Sequence, residues 1–135
     1  MTNQSKAAAL LVALLLPACA AVQTQTGAHT PPGGSAERNA ILVATQHAYS
    51  RHGMKNAVLD VATLKVHSGW AWIQINPRSA DGKQHYESQS GLLQEKATKW
   101  TFLEWMPAEE GTDYPKYFKN LKAKYPAAPA DIFPQ

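Results

Sequence analysis

Apolar residues from position 35 onward first follow helical spacing and then strand alternation. Ser35 can cap a helix that has Glu37 in its first turn, because a serine oxygen accepts a hydrogen bond from the free N–H groups there. Gly53 is typical of the end of such a helix. The broad apolar face between them is formed by Ile41, Leu42, Ala44, Thr45, Ala48 and Tyr49. The spacing therefore predicts one amphipathic helix at the start of the folded region.

Four runs rich in β-branched and aromatic residues follow, and they form two predicted hairpins. The first, "NAVLDVATLKVHSGWAWIQINP", is divided by Ser68-Gly69, a pair suited to a tight turn. The second has its arms at residues 86–95 and 100–106, with a turn between Lys96 and Lys99. Consecutive hairpins of this kind predict an antiparallel sheet.

Side-chain alternation assigns the strand residues to two faces of that sheet. In the second strand Ala71, Ile73 and Ile75 share one face, and Trp70 and Trp72 share the other. In the last strand the alternation predicts two sets, namely Trp100, Phe102 and Met106 on one face and Leu103 and Trp105 on the other. One helix covers only one face. The second face therefore needs the C-terminal helix, the tail, a ligand or a second copy of the chain, which makes a homodimer possible.

The C-terminal part completes the predicted fold. Asp113 is a candidate cap and Pro115 fits a first turn, so a short basic helix is expected as far as Lys124. The tail, residues 125–135, is proline-rich and is expected to be extended. Together these elements predict an α+β fold, in which the N-terminal helix packs on a curved four-stranded antiparallel sheet and a short C-terminal helix follows.

The first residues indicate an export signal. A polar start with one positive charge, "MTNQSK", precedes the apolar run "AAALLVALLL", which is too short to span a bilayer of about 30 Å. The tetrapeptide Leu16-Pro17-Ala18-Cys19 resembles the lipobox of bacterial lipoproteins, in which the cysteine carries the lipid. The alternative is ordinary cleavage at Ala18-Cys19-Ala20, which fits the A-x-A pattern. We predict a signal peptide over residues 1–18 and lipidation of Cys19, the only cysteine of the chain.

Lipidation would place the protein on a membrane surface. The resemblance to Gram-negative lipoproteins implies the periplasmic face of the outer membrane, because Ala20 follows the cysteine; a soluble periplasmic or secreted protein is the alternative. Residues 19–35 are small and polar and end in "PPGGS", so they predict a flexible tether. Residues 36–135 then form a single domain, and no cysteine remains in it for a disulfide bond.

Three short segments resemble a group of small exported bacterial proteins without assigned activity. The segments are "RNAIL" in the helix, "LKVHSGWAWI" in the first hairpin and "KWTFLEWM" in the last strand. The resemblance implies a cystatin-like or nuclear-transport-factor-like fold, in which an antiparallel sheet cradles a helix. It covers roughly residues 38–106 and defines no functional residue.

Charge and residue spacing exclude several classes of site. The 13 basic and 10 acidic residues are interspersed, so the chain lacks the basic footprint of a nucleic-acid-binding protein. Its five histidines lack metal-ligand spacing, and the acidic loop with Glu109, Glu110 and Asp113 lacks the pattern of a calcium site. We therefore predict neither a metal nor a cofactor.

Asp60 is the one candidate catalytic residue. It lies within an apolar strand, where a buried carboxylate would have a raised pKa and could act as a general base. The alternative is an edge position or an ion pair with Arg51, Lys55 or Lys65.

Aromatic residues on adjacent hairpins are the candidate binding residues. Tryptophan is enriched at binding hot spots, and cross-strand neighbours can meet on one surface. The set consists of Trp70, Trp72, Trp100, Phe102 and Tyr86. The alternative is a core or dimer contact.

Three functions are compatible with this sequence. The first is a non-catalytic cell-envelope lipoprotein that binds a protein partner or a small ligand through the aromatic sheet surface. The second is an inhibitor or immunity protein directed against a wall-active enzyme. The third is a small enzyme with a conical pocket in which Asp60 is the general base.

Overall fold

The computed structural model describes residues 26–135, so the predicted signal peptide and Cys19 lie outside the described residues. The helices are α1, Ala36–Ser50, and α2, Tyr114–Lys124, and a 3-10 turn spans Ala130–Ile132. The strands are β1, Val58–His67; β2, Trp70–Arg78; β3, Gln89–Lys96; and β4, Lys99–Trp105.

Both predicted helix caps are confirmed. The Ser35 side chain accepts a hydrogen bond from the Arg38 backbone N–H at 3.2 Å, and the Asp113 carboxylate accepts one from the Lys116 N–H at 3.0 Å. Each cap satisfies a donor that has no partner inside its own helix. At the other end of α1 the cap is Arg51, and Gly53 lies in the turn beyond it with a φ of 88°.

The four strands form one antiparallel sheet in the order β1-β2-β3-β4. Two-residue turns connect β1 to β2 and β3 to β4, and all four of their central residues have positive φ: 49° and 75° at Ser68 and Gly69, 48° and 63° at Ala97 and Thr98. This is the geometry of the hairpin turn whose twist matches that of the strands. The predicted α+β fold, one helix against a four-stranded antiparallel sheet with a short C-terminal helix, is confirmed.

Different parts of the chain cover the two faces of the sheet. On one face α1 contributes Ile41, Thr45 and Tyr49, which are buried and one helical turn apart. On the other face lies the C-terminal segment, residues 114–135, which inserts Leu121, Ile132 and Phe133. The chain thus covers the second face with its own C-terminal segment.

The sequence indicated an extended tail, but the tail is only partly extended. It forms the 3-10 turn, and within and just after this turn Ile132 and Phe133 are only 0% and 1% exposed. The prolines favour an extended backbone, but the position of the tail is determined by the burial of Ile132 and Phe133 against the sheet.

A β-bulge reverses the predicted alternation at the end of β4. Leu92 pairs with Glu104 and Leu93 pairs with Phe102, so Leu103 has no partner across the pair. The extra residue reverses the facing of the side chains beyond it. Trp105 therefore lies with Phe102 on the α1 face and Met106 lies on the face of the C-terminal segment, opposite to the prediction for both.

The predicted tether also needs correction at its end. His29 exchanges two backbone hydrogen bonds with Val66, at 2.9 and 2.8 Å, and Pro31 is fully buried. The Thr30 hydroxyl donates to the Leu64 carbonyl at 2.9 Å. From His29 onward the chain is part of the domain, because it covers the outer edge of β1.

Candidate functional site

The structure separates the predicted aromatic binding set. Trp70 and Trp72 lie beneath the C-terminal segment, with 6% and 3% of their surface exposed. The Trp72 ring centroid is 5.6 Å from that of Phe133, and the Trp70 centroid is 5.9 Å from that of Tyr125. Both rings pack beneath the C-terminal segment and neither lines the groove between α1 and β4, so both have the core role that was the alternative.

Trp100 and Phe102 lie on the opposite face. Trp100 is as buried as Trp70, with 6% of its surface exposed, and Phe102 is half-buried, but both line a groove of about 690 Å³ between α1 and β4. One wall is formed by α1 residues from Ala40 to Ala48 and by the cap residue Arg51, and the other by residues 98–102. A groove of this volume is within the range that accommodates ligands in proteins. Two of the five predicted binding residues therefore contribute to one site.

The sequence of α1 explains why the groove is present. The helix buries Ile41, Thr45 and Tyr49, while Ala40, Ala44 and Ala48 follow a parallel row of the helix toward β4. Methyl groups are too short to fill the space above Trp100 and Phe102. This row of alanines was visible in the sequence, but alanine is also the best helix former, so it did not indicate a groove.

Three basic side chains are part of the groove lining. His47, Arg51 and Lys99 are among its lining residues, which include no Asp or Glu. Val43 adds an apolar contact at the rim and is 70% exposed. An apolar floor with a basic rim favours a ligand that combines apolar groups with negative charge.

Tyr86 lies away from the groove. Its hydroxyl donates to Gln84 at 3.3 Å, and its backbone N–H donates to the Pro77 carbonyl at 2.8 Å. It is a neighbour of Tyr49, whose pKa is raised mainly by burial and secondarily by the charge of Tyr86. Tyr86 is therefore not part of the groove.

An aromatic cluster closes the space beside Phe102. The Phe102 and Trp105 centroids are 4.1 Å apart, and Trp105 also contacts Tyr49 with a centroid distance of 6.0 Å. The bulge at Leu103 is what brings Trp105 to this face. Sequence alternation had placed it on the other one.

Asp60 lies on the surface of β1 with 53% of its side chain exposed. Its carboxylate accepts a hydrogen bond from Arg78 Nε at 2.7 Å. Asp60 thus forms a surface ion pair, as the alternative prediction had it, but its partner is Arg78 and not Arg51, Lys55 or Lys65. Asp60 is not among the residues that line the groove, so the geometry does not support a general base there.

Two of the five histidines pair with carboxylates. His29 Nε2 lies 2.8 Å from Glu37, and His67 Nδ1 lies 2.7 Å from Asp131. Within residues 26–135, no three His, Cys, Asp or Glu side chains come together as metal ligands would. Neither helix in that range has the length and apolar character needed to cross a membrane.

A polar cluster that the sequence did not reveal holds α2 against β4. Glu104 accepts hydrogen bonds from Lys124 and from the Tyr125 hydroxyl, the latter at 3.0 Å. Tyr117 lies nearby, and burial, reinforced by the Glu104 carboxylate, raises the pKa of its phenol far above the usual range. The phenol therefore stays neutral, and the cluster is a structural contact.

No family model, no curated protein and no solved structure matches this chain.

Proposed function

We propose that this protein is a non-catalytic cell-envelope lipoprotein that binds a protein partner through the groove between α1 and β4. The observation that carries the proposal is the composition of the groove, an apolar floor of alanines, Trp100 and Phe102 inside a rim of basic side chains. Small apolar surfaces edged by charge are typical of protein contact sites.

The envelope location is proposed from the N-terminal sequence. Leu16-Pro17-Ala18-Cys19 supports a lipid anchor on Cys19 at the periplasmic face of the outer membrane. An anchored domain can hold its groove toward partners in the periplasm. Lipid additions on Cys19 in the intact mass of the mature protein would support the anchor, and an unmodified cysteine or a chain beginning after it would contradict it.

Val43 offers a direct test of the groove because its exposed side chain can be replaced with little disturbance of the core. The full-length protein would carry a photo-crosslinking phenylalanine derivative at Val43 in its native host. Tyr114, which is 41% exposed on α2, is the matched control position. We expect a light-dependent adduct with an envelope protein from position 43 and none from position 114.

The adduct also separates the binding proposal from its alternatives. Absence of an adduct at position 43, or equal adducts from both positions, would contradict the groove as the binding site. An adduct with a wall-active enzyme that the purified protein inhibits would identify the protein as an inhibitor.

A further inference from the structure

The two outer edges of the sheet differ in the described structure. The edge of β1 is covered where His29 pairs with Val66 and Thr30 binds Leu64. Along β4, the described residues place no strand or bridge on the side away from β3. An uncovered edge is a template for an added strand.

The hairpin register shows which backbone groups point outward from β4. In a hairpin with a two-residue turn, the two residues that flank the turn, here Lys96 and Lys99, form a hydrogen-bonded pair. Hydrogen-bonded pairs alternate along the strands, so Gln94 and Thr101 form the next one, and the residues between them do not bond across to β3. The backbone N–H and C=O groups of Trp100 and Phe102 therefore face the open side. These two residues are also the aromatic floor of the groove.

The groove follows this edge. Successive side chains of a strand point to opposite faces, yet all residues from 98 to 102 line the groove. A groove confined to one face would be lined by alternate residues only. The backbone edge of β4 is therefore part of its wall, within reach of whatever occupies the space.

Length and charge define the occupant. The α1 wall from Ala40 to Arg51 is about 16 Å long at 1.5 Å per residue, which corresponds to about five residues of extended peptide. The basic rim, with His47, Arg51 and Lys99, favours acidic side chains on that peptide. A second copy would bring the same basic rim toward its own, and residues 1–25 of this chain contain no Asp or Glu.

We propose that an extended acidic segment of the partner protein adds to the sheet as a fifth strand along β4. The idea rests on the proposed function, since it specifies how the partner occupies the same groove. The segment forms backbone hydrogen bonds with Trp100 and Phe102, and its carboxylates approach Arg51 and Lys99. Strand addition supplies affinity through the backbone, and the rim supplies selectivity.

The test begins with an array of randomised seven-residue peptides probed with the purified full-length protein. We expect the bound peptides to be enriched in Asp and Glu at alternating positions. The tightest peptide is then made in two N-methylated forms, each methylated at one alternate set of amides. Successive N–H groups of a strand point in opposite directions, so only one form blocks the edge that faces β4.

We expect one methylated form to bind about tenfold or more weakly and the other to bind like the parent peptide. The charge requirement is tested with Arg51→Glu/Lys99→Glu, which should also weaken binding about tenfold or more. Lys116→Glu/Lys119→Glu, an equal charge change on exposed residues of α2, is the control and should bind within about twofold of wild type.

Other results would overturn strand addition. These are no bound peptide, bound peptides without acidic enrichment, equal effects of the two methylated forms, or equal effects of the two charge variants. Crosslinking from Val43 is measured separately. If it succeeds while strand addition is overturned, the groove binds its partner in another way; if it fails, the proposed function itself is wrong.

Discussion

The C-terminal segment and α1 cover opposite faces of the same sheet, but they leave different amounts of space. Beneath the C-terminal segment, Phe133 packs against Trp72 and both are buried. Beneath α1, the alanine row leaves the groove of about 690 Å³ over Trp100 and Phe102. Both faces therefore hold a buried apolar core, and the difference lies at the margin near β4, where only the α1 face leaves space for the binding that we propose.

The large aromatic side chains explain this difference. Tryptophan and phenylalanine bury much apolar area when rings from opposite elements interlock, and this stabilises the contact. Alanine contributes little area, so α1 depends on Ile41, Thr45 and Tyr49 to hold its position. Experiments on each face can separate these roles.

The largest expected effect comes from Trp72→Ala. Replacing a buried tryptophan by alanine leaves a cavity and removes contacts with Phe118 and Phe133, so the free energy of unfolding should fall by about 3–5 kcal/mol. Urea unfolding followed by far-ultraviolet circular dichroism measures this loss.

Val43→Ala is the matched control on the opposite face. Val43 is 70% exposed, and alanine favours the helix, so the midpoint of unfolding should stay close to wild type. A Trp72→Ala protein as stable as wild type would show that the second face is not a packed core. It would return Trp72 to the candidates for binding.

A smaller effect is expected from Gly91→Ala on the α1 face. The added methyl group would overlap the Phe102 ring, and it would also approach the Glu104 carbonyl oxygen to 3.0 Å. Crowding of this kind costs about 1–3 kcal/mol of unfolding free energy, or it displaces the ring into the groove. Thermal or urea unfolding measures the cost.

A double variant tests the cause. Phe102→Ala removes the ring, so adding Gly91→Ala to it should cost much less than adding Gly91→Ala to wild type. Gly33→Ala is the control, because its methyl group would have no neighbour within 4 Å. Equal costs of Gly91→Ala with and without the Phe102 ring would mean that the backbone, and not the ring, is disturbed.

The sequence predicted the parts of the fold that depend on neighbouring residues. The caps at Ser35 and Asp113, the turn at Ser68-Gly69 and the strand alternation of β2 follow local rules that a short window contains. The α+β fold followed from their order along the chain.

Features that depend on distant residues were not predictable in the same way. The bulge at Leu103 is a property of the pairing between β3 and β4, and it reversed the facing of Trp105. The docking of Phe133 on Trp72 joins residues 61 positions apart along the chain. For the groove, the sequence supplied Trp100 and Phe102 but not the α1 wall, because only packing determines which row of α1 faces β4.

The smallest expected effect concerns Asp131, which lies at the covered edge of β1. Asp131 accepts hydrogen bonds from His67 at 2.7 Å and from the Ala28 N–H at 2.8 Å, and so joins the C-terminal segment to β1 and to the segment that precedes α1 and bridges to β1 at Val66. The hydrogen bond from His67 is the main cause that lowers the pKa of Asp131. A carboxylate with a lowered pKa stabilises the fold above its unfolded pKa of about 4, and this contribution is lost as pH falls through the folded value. Asp131→Asn should therefore lower the urea midpoint slightly at pH 7 and not at pH 2. The same decrease at both values would mean that Asp131 acts through packing and not through its charge.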